Sequence, residues 1–74
     1  MTNQKISKKT ELTKAVIPNT VSYIDYLAFR HCYNLVELLF DGTSEEWSRV
    51  IKDADWNRDI SVTYVQCNDG RVML

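Results

Sequence analysis

The sequence predicts an α+β domain: a long central helix and a short second helix packed on a small antiparallel sheet, in the order (β)-α-α-β-β. Three observations predict it. Residues 22–40 carry apolar and aromatic residues that recur every three or four positions, with polar residues left in narrow strips between. Thr43 and Glu46 stand at the spacing of a helix start. From Ile60 onward the pattern changes to alternation, with Gly70 breaking it into a hairpin.

The central helix is read over residues 22–40. Ile24, Leu27, Ala28, Leu35, Leu38 and Leu39 fall on one side, with His31 among them. Tyr26, Phe29, Tyr33, Val36 and Phe40 fall on the other side, at alternating steps of three and four. Each residue turns by roughly 100°, so a helix of this sequence has two apolar stripes to bury. The aliphatic stripe suits a sheet. The aromatic stripe needs a second cover, from the next helix or from another molecule. Pro18 and Asn19 interrupt the chain before this helix, Thr20 or Ser22 caps it, and Gly42 stands just past its end.

The remaining elements follow in order. Residues 1–11 read as a flexible basic arm, and residues 12–74 as the single domain. Residues 12–17 offer a short strand that Pro18 ends. Thr43 and Glu46 form a capping box that opens a second helix, read to about Asp55, with Trp47, Val50, Ile51 and Ala54 on its buried side. Glu45 and Arg49 are an i,i+4 ion pair on the outer side. Trp56 is expected to fold back over the domain or to serve as a contact ring. In the C-terminal hairpin, a three-residue turn of Asn68, Asp69 and Gly70 gathers Ile60, Val62, Tyr64, Val72 and Leu74 on one face. A two-residue turn of Asp69 and Gly70 is the alternative.

Composition narrows the function classes. Seventy-four residues make one small domain, with little room for a substrate pocket, so an enzyme is not expected. His31 and Cys32 are neighbours, but consecutive helical residues diverge by about 100° and cannot act as base and nucleophile. His31 reads as a satisfied half-buried histidine, and Cys32 and Cys67 as small apolar fillers. These three lack the spacing of a zinc site, and no cofactor is expected. Asp53, Asp55, Asp59 and Asp69 read as a solvated surface. Two cysteines are too few for a disulfide framework, and no apolar leader opens the chain, which points to the cytoplasm. The charges within 22–40 argue against a membrane span.

The functional expectation is a small regulator that binds another protein, an inhibitor or modulator of bacterial or phage type and plausible as a homodimer. Its contact residues would be Tyr26, Phe29, Tyr33, Val36 and Trp56. The alternative is a nucleic-acid-binding accessory protein that uses Lys5, Lys8, Lys9 and Lys14. Residues 1–14 hold those four lysines against Glu11, whereas the rest of the chain holds five basic residues against nine acidic ones.

Overall fold

The computed structural model describes residues 9–74. After a 3₁₀ turn at Lys9–Glu11, six short strands and one helix follow: β1 Lys14–Pro18, β2 Tyr23–Ile24, β3 Glu37–Asp41, α1 Ser44–Arg49, β4 Ile51–Lys52, β5 Tyr64–Cys67 and β6 Gly70–Met73. The main sheet has the order β1-β3-β5-β6. Its first three strands are parallel, and only the β5–β6 hairpin is antiparallel. β2 and β4 form a separate parallel pair.

The long central helix does not form. Its sequence is divided between two structures. Residues 25–35 make successive tight turns, in which Ala28, Arg30, Cys32 and Leu35 each donate to the carbonyl three residues back. His31 adopts a left-handed backbone at φ 68°, which no α-helix accommodates. Tyr, Phe, His, Cys and Asn, frequent here, are also only middling helix formers. The last part of the run becomes β3, flanked by β1 and β5. A short apolar run does not distinguish helix from strand.

The sheet is therefore mixed rather than antiparallel. Residues 12–17 do contribute a strand, but as β1 in parallel register with β3: Lys14 with Glu37, Ile17 with Phe40 and Pro18 with Asp41. The second helix is confined to Ser44–Arg49. Its capping box forms as the spacing requires: the Thr43 hydroxyl accepts from the Glu46 amide at 3.1 Å, and the Glu46 carboxylate accepts from the Thr43 amide at 2.9 Å. Glu45 and Arg49 pair at 2.9 Å. The helix stops early because Val50 turns extended and donates to the Trp47 carbonyl. Lys52 then places its ammonium on the Trp47 and Val50 carbonyls at 3.2 and 2.8 Å, a cation at the negative end of the helix. β4 follows at once, paired to β2.

The hairpin forms with a different register. The turn is Asn68 and Asp69, so that Cys67 pairs with Gly70, Val65 with Val72 and Tyr64 with Met73. Val65, Cys67 and Val72 consequently face inward, while Tyr64 faces outward; of the face expected from sequence, Ile60, Val62 and Val72 pack on the core, whereas Tyr64 turns away and Leu74 is exposed. The turn is held from outside. The Asn68 amide donates to the Gly42 carbonyl at 2.8 Å, and the Asp69 carboxylate accepts from the Ser44 amide at 2.7 Å and its hydroxyl at 3.0 Å. Gly70 takes φ 141°, where a side chain is rarely tolerated.

One face of the sheet carries the core. Ile17, Leu38, Phe40, Val65 and Cys67 point inward against Ile24, Phe29, Cys32, Leu35, Trp47, Val50, Trp56 and Ile60. An edge-to-face series of rings crosses this core: Phe40 to Trp47 at 5.2 Å, Trp47 to Trp56 at 5.8 Å and Trp56 to Phe29 at 6.0 Å. Both cysteines are buried and neither forms a disulfide. The opposite face, with Val16, Leu39, Tyr64 and Arg71, has no second layer among the described residues.

Candidate functional site

The turns of residues 25–35 and those of residues 53–60 lie side by side, and a cleft of about 560 Å³ opens between them. Its floor is the far end of the ring series, Phe29 and Trp56, both nearly buried. Tyr26 and Tyr33 stand at the rim, 52 % and 54 % exposed. Arg30, His31, Arg58, Asp55 and Asp59 complete the lining.

Aspartates hold the walls. Asp59 accepts the His31 amide at 2.7 Å, which satisfies the donor that the left-handed turn leaves over. Asp53 accepts the Tyr26 amide at 3.2 Å and the Tyr23 hydroxyl at 2.5 Å. Asp25 accepts the Leu27 amide at 2.8 Å, a local turn of the kind aspartate favours. The Asp53 and Asp59 bonds join segments nearly thirty residues apart, so both walls are positioned before anything binds. Tyr23 is pushed up to about 12, because its proton lies in the hydrogen bond to Asp53; desolvation and the Asp53 and Asp25 charges act in the same direction.

Two non-glycine residues among those described have positive φ, His31 at 68° and Asp55 at 63°, and both line this cleft. The His31 imidazole turns to Tyr33, with Nδ1 3.1 Å from the hydroxyl and the rings edge-on. The Cys32 side chain turns the other way, into the core. Arg30 and Arg58 lie outside the single ion pair among the described residues, Glu45–Arg49. The cleft thus offers ring faces, guanidinium donors and carboxylate acceptors on a fixed frame.

Of the contact residues expected from sequence, Tyr26, Phe29, Tyr33 and Trp56 meet at this cleft, although no helix joins them. Phe29 and Trp56 are floor rather than surface. Val36 does not join them: it is 73 % exposed and lines a groove of about 500 Å³ beside Tyr64 and Arg71 on the outer sheet face. His31, expected half-buried on an aliphatic stripe, is exposed at the rim. Arg30, Arg58, Asp55 and Asp59 were not legible as site residues. The one signal was the density of turn-forming Asp and Asn over residues 53–59. Asp53, Asp59 and Asp69, expected as solvated surface, are exposed or partly exposed and also brace loops.

Lys5 and Lys8 lie outside the described residues. Lys9 belongs to the 3₁₀ turn, and Lys14 is exposed on β1 in register with Glu37. Among the described residues no three metal-ligating side chains gather, and no helix is long and apolar enough to cross a membrane. No family model matches the sequence, and no characterised protein and no solved structure shows a significant likeness to it.

Proposed function

We propose that this chain is a small non-enzymatic regulator that binds another protein, an inhibitor or modulator of bacterial or phage type acting in the cytoplasm. The binding surface is the cleft between residues 25–35 and 53–60. The observation that carries this reading is the pair of half-exposed tyrosines, Tyr26 and Tyr33, over an aromatic floor with Arg30 and Arg58 beside them. Tyr, Trp and Arg are the residue types that dominate binding energy at protein interfaces. A frame already braced by Asp53 and Asp59 keeps the ordering cost of binding low. The two buried cysteines, which form no disulfide, agree with a reducing compartment.

The test compares capture of cellular proteins by the parent and by Tyr26→Ala/Tyr33→Ala. Both positions are exposed, so the thermal midpoint should stay within a few degrees while a protein captured by the parent is lost. Capture by this surface should change little between about 50 and 200 mM salt, whereas phosphate contacts weaken steeply over that range. Deleting residues 1–10 should leave capture intact. A protein held equally by the double variant, or binding lost with the arm and with salt, would move the function to Lys5, Lys8, Lys9 and Lys14.

A further inference from the structure

We infer that two copies of this chain associate through the free edge of β6, pairing antiparallel about Val72 into a continuous eight-stranded sheet. The inference does not rest on the cleft. The dimer seam predicted along a central helix does not exist, but the sheet offers another.

The geometry follows from the hairpin ladder. The Leu74 amide donates to the Thr63 carbonyl at 2.9 Å, so these two residues form a hydrogen-bonded pair. Such pairs alternate along an antiparallel ladder. With the observed register, Val72 pairs with Val65 and Gly70 with Cys67 in the same manner. Arg71 and Met73 fall between, and their amides and carbonyls turn away from β5 toward the edge. No described hydrogen bond outside the strand ladders engages these groups.

That edge is self-complementary. A twofold axis at Val72 sets Arg71 against the partner's Met73 and Met73 against the partner's Arg71, with Val72 against its own copy. Each outward amide then meets an outward carbonyl, giving four main-chain hydrogen bonds. The side chains leave the edge clear. Arg71 lays its guanidinium 4.3 Å over the Tyr64 ring, back across its own sheet, and Met73 is 71 % exposed. The other edge is guarded. β1 opens on Lys14 and closes on Pro18, both residues that discourage strand addition. β6 holds no proline, and its one charge, Arg71, is exposed and turned back over the Tyr64 ring.

Two four-residue strands bury less than the roughly 1,200–2,000 Å² of a standard interface, so the association is weak and concentration-dependent. Sedimentation equilibrium from about 10 µM to 1 mM, a range in which weak pairing is resolved, should move from the chain mass toward twice that mass. The exchange of the Arg71 and Met73 amide hydrogens should slow over the same range. Met73→Pro removes an amide hydrogen that the monomer does not use, and should weaken the dimer at least about tenfold. Met73→Lys keeps that hydrogen but sets an ammonium beside the partner's Arg71, and should act likewise if the proline variant fails to fold. Tyr33→Asp should leave the dimer unchanged. A parent at the chain mass throughout would overturn the inference, as would Met73 variants that dimerise like the parent, or a dimer lost only in Tyr33→Asp.

Discussion

The indole rings of Trp47 and Trp56 meet edge to face with centroids 5.8 Å apart and planes inclined at 65°. Trp47 is the one buried residue of α1, and Trp56 is the floor of the cleft. This contact couples the only helix among the described residues to the candidate site, since Trp47 also packs on Phe40 of the central strand. Lys52 covers the outer side of Trp47 at 4.4 Å from the ring centre.

Trp47→Ala should therefore cost about 3–5 kcal/mol, the range for truncating a buried aromatic. Much of the stability of a small domain would go with it. Urea unfolding followed by near-ultraviolet circular dichroism measures the loss. A change under 1 kcal/mol would show that the ring series does not hold the core.

Gly42 is expected to resist substitution for a steric reason. A methyl group there would lie 2.6 Å from the Phe40 ring, 2.6 Å from the Glu46 carboxylate and 3.0 Å from Asn19. The Phe40 ring is buried and has little room to yield. Gly42→Ala should lose about 1–3 kcal/mol in the same urea assay, as overpacked cores do.

Stability should fall at both extremes of pH, through different residues. Tyr23 has its pKa raised from 10.0 to about 12, so its bond to Asp53 is fully present below pH 10 and is lost as pH rises through about 12. Asp69 is held below the ordinary carboxylate value, first by the Ser44 amide and then by the Ser44 hydroxyl. Its contribution is complete above about pH 4, the ordinary carboxylate value, and is lost as pH falls through the lowered pKa. Tyr23→Phe should flatten the alkaline limb alone and Asp69→Ala the acid limb alone, in unfolding curves recorded from pH 2 to 12.

Backbone strain at the cleft gives an ordering of variants at residue 55. Its φ of 63° is costly for most side chains, tolerated by aspartate and free for glycine. Asp55→Gly should change stability by less than about 1 kcal/mol in either direction, because the relief of strain is offset by a freer unfolded chain. Asp55→Val should lose about 1–2 kcal/mol. Equal stability for the valine and glycine variants would mean that the turn is not held left-handed in solution.

Local chemistry was legible wherever a few neighbouring residues settle the structure. The Thr43–Glu46 capping box, the Glu45–Arg49 pair, a strand ending at Pro18, a turn between Tyr64 and Met73, the inward Trp56 and the apolar role of both cysteines all follow from short spacings. The aromatic residues expected at a contact were grouped on a false premise. Tyr26, Phe29 and Tyr33 converge because the turns carry them to Trp56, not because a helix aligns them.

What the sequence determined by itself was thus one helix start, at Thr43, the existence of a C-terminal hairpin, and the burial of Trp47, Trp56 and both cysteines. Tertiary structure decided whether residues 22–40 coil or extend, since Leu38 and Phe40 satisfy either periodicity until β1 and β5 lie alongside them. It also decided which face of the hairpin turns inward, because Val65 and Cys67 compete there with Val62 and Tyr64 on nearly equal terms. That choice is settled by contacts distant in the chain: the grip of Ser44 and Gly42 on the turn, and Leu39 beside Gln66. Strand pairing is a non-local bond, and a pattern read along one chain does not contain its partner.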